Sequence, residues 1–190
     1  MKMNFDRPLI LASSSPRRQY LMKEAGFTFV ARSPDIDESF PHDLVITAVP
    51  KYLAKKKAKV FEKHIGNEIV ITSDTVVILG NEILNKPLDR KEAIDMLRKL
   101  SGQTHTVITA VCLFSKEKTD CFDDHTEVTF KTLTQEEIEF YVDNYKPYDK
   151  AGAYGAQDWI GLVAIEKING SYFTVMGMPM HLVYRHLKNF

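Results

Sequence analysis

Apolar positions along the 190-residue chain recur with two alternating periods, and that alternation predicts an α/β architecture. Residues 8–12 form a short apolar run that predicts a strand. Ser15 and Pro16 then suit the cap and first position of a helix that Gly26 ends, with Leu21 and Ala25 on one face. Pro50 opens a second helix expected to run to about residue 63, with Leu53, Ala54, Lys57, Ala58 and Phe61 as its inward stripe. Asp89 with Glu92, and Thr134 with Glu137, have the spacing of capping boxes for two more helices. Ala93, Met96, Leu97 and Leu100 make the inner face of one, and Ile138, Tyr141, Val142 and Tyr145 that of the other. Pro179 opens the last helix.

Between these helices, residues 69–71 and 76–79 are β-branched runs that predict buried strand, followed by a Gly80-Asn81 turn. Residues 105–114 and 127–131 predict paired strands, and residues 160–168 and 172–175 predict a hairpin around Asn169-Gly170. Such hairpins make the sheet mixed rather than purely parallel. No repeat, low-complexity tract or linker interrupts the pattern, so a single domain spanning residues 1–190 is expected.

Charge narrows the range of partners. Lys plus Arg and Asp plus Glu both number 25, so there is no summed field to attract a nucleic acid polymer or an anionic membrane, and affinity for phosphate has to be local. No apolar run approaches the roughly 20 residues of a membrane span, and residues 1–7 lack a signal peptide's apolar stretch, so a cytoplasmic location is expected. In that compartment the two cysteines, Cys112 and Cys121, are expected to be reduced and inert, although they flank a predicted hairpin. The six histidines form no metal-ligand spacing.

Three positions are chemically demanding. In Ser13-Ser14-Ser15-Pro16-Arg17-Arg18, two arginines sit at the positive end of a helix, where cations are unfavourable unless an anion joins them. Backbone N–H groups, the hydroxyls of Ser13 and Ser15 and two guanidiniums would together grip phosphate; a capped helix with two solvated arginines is the other reading. Asp74 interrupts a buried strand, where a carboxylate needs a metal, a cationic partner, a catalytic role or local N–H donors at a kink. Lys57 lies among apolar neighbours, either pointing into a site or snorkelling outward, while Lys55, Lys56 and Lys59 face solvent. Lys86 before Pro87, Glu38 in an acidic run starting at Asp35, and the small-residue run from Ala151 to Gln157 are weaker candidates singly. The last of these would let backbone and the Gln157 amide approach a base edge.

In order along the chain, Leu11-Ala12-Ser13-Ser14-Ser15-Pro16-Arg17-Arg18, Leu53-Ala54-Lys55-Lys56-Lys57-Ala58, Ser73-Asp74-Thr75-Val76-Val77, Lys86-Pro87, Leu100-Ser101-Gly102-Gln103-Thr104-His105 and Asp149-Lys150-Ala151-Gly152-Ala153-Tyr154-Gly155-Ala156-Gln157 resemble the Maf family of nucleoside triphosphate pyrophosphatases. Gly170-Ser171-Tyr172 and Gly177-Met178-Pro179 continue the match. The resemblance implies an elongated mixed sheet flanked by helices around a deep central cleft, as in the inosine triphosphate pyrophosphatases. It implies a divalent metal, magnesium or manganese, and a homodimer.

By the same resemblance Asp74 accepts the proton of the attacking water, and Arg17, Thr75 and Gln157 select the base. Glu38 and Asp74 are expected as the metal carboxylates, and Ser13, Ser15, Arg17, Arg18, Lys57 and Lys86 are expected to hold the triphosphate. The expected reaction is hydrolysis of dTTP and UTP, modified pyrimidine nucleotides among them, to monophosphate and pyrophosphate. The alternatives are action on 7-methyl-GTP or another modified nucleotide, or a non-catalytic sensor acting on cell division through a protein partner. Asn85, Ala156 and Asp158 depart from the family pattern and bear on substrate preference.

Overall fold

A computed structural model describes residues 5–34 and 36–190. Asp35, the first carboxylate of the acidic run, and residues 1–4 lie outside the described residues.

The chain folds in the order β1 (Leu9–Leu11), α1 (Pro16–Glu24), β2 (Phe29–Ala31), α2 (Val49–Lys59), β3 (Ile69–Leu79), β4 (Glu82–Leu84) and α3 (Arg90–Leu100). It continues through β5 (Thr104–Phe114), β6 (Thr119–Phe130), α4 (Gln135–Tyr145), α5 (Trp159–Ala164), β7 (Ile165–Asn169), α6 (Tyr172–Val175) and α7 (Met180–Lys188). The fold is mixed α/β. Its strands bond in the order β2-β1-β3-β5-β6-β7, with β4 on β3, in a seven-stranded sheet. Both neighbours of β1 run parallel to it, whereas β4 on β3 and β7 on β6 are antiparallel.

Two compact units share these elements. One comprises residues up to Asp74, Thr109–Asp124 and Gly177–Phe190; the other comprises Thr75–Ile108 and His125–Met176. In the first, Ile10, Ala12, Phe61, Ile65 and Val70 form one cluster, and Ala54, Ala58, Ala110 and Cys112 another. In the second, α3 and α4 supply the apolar faces that their periodicity predicted, and Leu97, Leu100, Tyr141 and Val142 are fully buried there. Tyr145, expected on the same face, is exposed at the end of α4.

Local chemistry explains the helix starts. Glu137 N–H donates to Thr134 Oγ1 at 3.2 Å and Thr134 N–H donates to Glu137 Oε2 at 2.9 Å, a complete capping box for α4. Only half of the expected box forms at α3. Asp89 accepts from Glu92 N–H at 2.8 Å, but Glu92 reaches back to Leu88 N–H rather than to Asp89. Helix α2 stops at Lys59, short of the expected end near residue 63, and Phe61 is buried in the turn beyond it.

Three expectations are overturned. Residues 159–164 are helix, not strand: Ile160 and Ala164 are buried while Leu162 is 82% exposed, a four-residue spacing that a β-branched run concealed. Residues 172–175 are likewise a helical turn, so the hairpin about Asn169-Gly170 is replaced by β7 paired to β6. The cysteines are also not free thiols. Ser115 N–H donates to the Lys118 carbonyl at 2.9 Å, which sets the register of the β5-β6 hairpin and makes Cys112 and Cys121 cross-strand neighbours, joined in a disulfide.

Candidate active site

In the first unit the sequence candidates converge on one lysine. The i, i+4 spacing of α2 turns Leu53, Ala54, Lys57 and Ala58 inward, which buries Lys57 with them. Its Nζ donates to Asp74 Oδ1 at 2.6 Å and stands 2.8 Å from Glu38 Oε1. Asp74 lies mid-strand in β3, which runs unbroken through it, so the carboxylate is satisfied by a cation rather than by a kink. Its side chain is only 10% exposed, against 47% for that of Glu38. Burial raises the Asp74 pKa above the ordinary carboxylate value, with Lys57 and Arg18 pulling it back and Glu38 adding to the rise.

Arg18 is held from three sides. Its Nε donates to the Gly177 carbonyl at 2.9 Å, and its Nη1 donates to the Ser73 carbonyl at 2.9 Å and, at 3.5 Å, to Ser13 Oγ. Ser73 Oγ donates to the same Gly177 carbonyl at 3.2 Å. The guanidinium is thereby aimed by the backbone oxygens of Ser73, just before Asp74, and of Gly177, just before α7. Burial lowers its proton affinity, and the nearby Asp74 carboxylate opposes that. Ser15 occupies the cap position of α1 but makes no side-chain capping bond; its own N–H donates instead to Ser13 Oγ at 3.2 Å. Arg17 is half-buried in the first turn of α1. Of the outward lysines, Lys55 and Lys59 are exposed, and Lys56 donates to the Ser39 carbonyl at 2.9 Å, close to Glu38 in sequence.

The second unit holds Thr75, Lys86 and Gln157. Thr75 follows Asp74 on β3 and so points to the opposite face of the strand. Lys86 is exposed just after β4, beside buried Pro87. Gln157 sits in a tight turn, closed by Asp158 N–H donating to the Gly155 carbonyl at 3.0 Å.

Two buried polar residues carried no strong signal in the sequence. His105 is buried, with Nε2 2.8 Å from Tyr154 Oη, and its ring packs edge-on against Phe130 and Tyr154. Burial depresses its pKa from 6.5 to about 4. Thr72 Oγ1 donates to the Ala54 carbonyl at 2.7 Å, tying β3 to the helix that carries Lys57. The polar run from Thr72 to Thr75 inside an otherwise apolar strand was the available clue to that contact.

Among the described residues no three His, Cys, Asp or Glu side chains group into a metal cage. What Lys57 does bring together is a pair of carboxylates, all oxygen donors, of the kind that binds a hard divalent cation jointly with substrate phosphates.

Comparison with known proteins extends this picture. The family described as "Maf-like protein" matches residues 8–190. A Bacteroides fragilis protein named dTTP/UTP pyrophosphatase is 48% identical over 99% of each chain. A Flavobacterium psychrophilum protein of the same name is 50% identical over 95% of this chain and 93% of its own length. Among solved structures, the Staphylococcus aureus Ham1 protein superposes with a TM-score of 0.53 at 15% identity, covering 96% of this chain and 99% of its own, a likeness of fold.

Proposed function

The chain belongs to the Maf family, and from that membership we propose that it hydrolyses nucleoside triphosphates, dTTP and UTP foremost, to the monophosphate and pyrophosphate. Relatives bearing that name match nearly the whole chain at 48% and 50% identity. The observation that carries the reading is the buried Asp74 carboxylate, paired to Lys57 and pushed above its ordinary pKa. A protein that only bound an anion would gain nothing from a carboxylate kept dry at that point.

The chemistry is attack by water on the α-phosphorus: an oxygen–phosphorus bond forms, the bond to the β-phosphate bridging oxygen breaks, and pyrophosphate leaves. Asp74 accepts the proton of the water, and its raised pKa makes it a better acceptor than a solvated aspartate. Lys57 keeps that carboxylate oriented through its 2.6 Å bond. Arg18, with Ser13 and Ser15 beside it and Arg17 one residue away, holds phosphate oxygens, as does Lys86, and this charge offsets what builds on the departing pyrophosphate. Thr75, Arg17 and Gln157 are assigned to recognition of the base.

Glu38 and Asp74 are the residues that would hold magnesium or manganese. Bound there, such an ion would neutralise phosphate charge and ease deprotonation of water. The substrate is a soluble nucleotide of the cytoplasmic pool, and the balanced charge of the chain supports no nucleic acid polymer as partner. Among the described residues, no helix is long and apolar enough to cross a membrane. A homodimer is part of the proposal, and light scattering of the purified protein tests it.

The decisive experiment measures pyrophosphate release from UTP and dTTP with magnesium or manganese. Asp74→Asn should still bind nucleotide and release almost no pyrophosphate. Undiminished turnover by that variant would refute the assignment of Asp74.

A further inference from the structure

Gln157 is not left to choose its own orientation. Its Nε2 donates to Asp158 Oδ1 at 3.2 Å, the side chain's one hydrogen bond among the described residues. Asp158 is itself fixed: Tyr141 Oη donates to its Oδ2 at 2.7 Å, and Lys150 Nζ lies 3.8 Å from the same oxygen. With Oδ2 engaged, Oδ1 is the oxygen that meets the amide. Tyr141 Oη also accepts from Gly155 N–H at 3.1 Å, which ties the carboxylate to the turn that carries Gln157. Gly155 makes the approach feasible, because a Cβ there would lie 2.6 Å from Asp158 Oδ2 and 2.7 Å from Gln157 Nε2.

A primary amide is nearly symmetric in shape but not in chemistry. A carboxylate only accepts hydrogen bonds, so it must face the nitrogen of Gln157; the reversed amide would set oxygen against oxygen. Gln157 therefore presents its carbonyl oxygen and its second N–H outward. Uracil and thymine offer a donor, N3–H, beside acceptor carbonyls, which suits that arrangement. Cytosine offers an acceptor at N3 beside an amino donor and would need the amide turned over.

We propose that Asp158 is a positioning residue that locks the Gln157 amide and thereby favours uracil and thymine nucleotides over cytosine nucleotides. This rests on the reading above that Gln157 meets the base. Because Gln157 is exposed in the described structure, the discrimination it contributes is about tenfold to a hundredfold rather than that of a sealed polar pocket.

The test compares kcat and KM for UTP, dTTP, CTP and dCTP, read as pyrophosphate release, in the wild type, Asp158→Ala and Asp158→Asn. Alanine removes the anchor. Asparagine keeps its size and its bond to Tyr141, yet it tolerates either amide orientation, so it separates positioning from folding. Both variants should lower the UTP-to-CTP ratio of kcat/KM about tenfold, mainly through KM, and the asparagine variant should keep the wild-type melting temperature. An unchanged ratio in an active, folded Asp158→Asn overturns the role of Asp158 alone. Failure of the wild type to release pyrophosphate from UTP or dTTP overturns the underlying reaction, and this inference with it.

Discussion

Lys57 Nζ lies 2.6 Å from Asp74 Oδ1, and both side chains are only 10% exposed. A buried ion pair of this kind is a poor source of net stability, because desolvation offsets most of the attraction, but breaking it from one side leaves an uncompensated charge. Lys57→Met should therefore lower unfolding stability by about 3 kcal/mol, discounted somewhat because Arg18 remains near Asp74. The double variant Lys57→Met/Asp74→Asn should recover most of that loss, since it buries no lone carboxylate. Urea unfolding of the two single variants and the double provides the cycle; strictly additive losses would mean that the pair is not coupled.

Arg18 argues for geometry over charge. Its Nε and Nη1 reach two different carbonyls, those of Gly177 and Ser73, each at 2.9 Å. A lysine carries the charge but cannot span both acceptors with a planar fork. Arg18→Lys should cost about 2 kcal/mol of stability, and affinity for a non-hydrolysable UTP analogue should fall at least tenfold. Calorimetric titration and thermal melting measure the two effects. Wild-type affinity in the lysine variant would show that charge alone suffices.

These contacts also show what kinds of information the sequence holds. Lys57 was legible because a helix has a period, and a lysine on an apolar stripe is conspicuous. Asp74 was legible because a carboxylate inside a β-branched run demands a partner. Their pairing was not, since residues 17 apart meet only when α2 packs on β3. The role of Gly177 was invisible for the same reason: its carbonyl serves Arg18 across 159 residues, and a main-chain acceptor leaves no mark in side-chain chemistry. Asp158 stood out only as a departure from the family pattern, and its contact with Tyr141 needed α4 in place. The misread segment at α5 had a different cause. Within Trp159–Ala164, Gly161 has no side chain because a Cβ would lie 1.9 Å from the Ala156 carbonyl. A run rich in Ile, Leu and Val hid that helical contact behind apparent strand propensity.

His105 supplies a pH dependence of stability. Its pKa is about 4 in the folded protein against 6.5 for the ordinary side chain, because burial disfavours the imidazolium. The unfolded chain thus takes up the proton first. The stabilisation is fully present above pH 6.5 and is lost as pH falls toward about 4. At pH 4.5 the difference amounts to about 2 to 3 kcal/mol. His105→Gln keeps a hydrogen-bonding group for Tyr154 but does not titrate. Its stability should change less between pH 7 and pH 4.5 than that of the wild type, by roughly that amount. Parallel urea titrations at the two pH values measure it, and identical slopes would mean that His105 is solvated.

The disulfide offers the sharpest contrast with expectation. Cys112 is fully buried against Ala54, Ala58 and Ala110, and its carbonyl accepts from Thr72 Oγ1 at 3.4 Å, so the bridge backs onto the helix bearing Lys57. Closing a loop of nine residues' separation removes unfolded-state entropy worth about 3 kcal/mol. The oxidised protein should accordingly resist urea more than the same protein in a phosphine reductant, whereas Cys121→Ser should be indifferent to the reductant. Alkylation under denaturing conditions fixes the starting state. Before reduction the intact mass should be unchanged by iodoacetamide, and after reduction both thiols should be labelled. Labelling of both without prior reduction would show that the hairpin holds two thiols, and the difference in urea resistance should then vanish as well, because no covalent loop remains for the unfolded chain to lose.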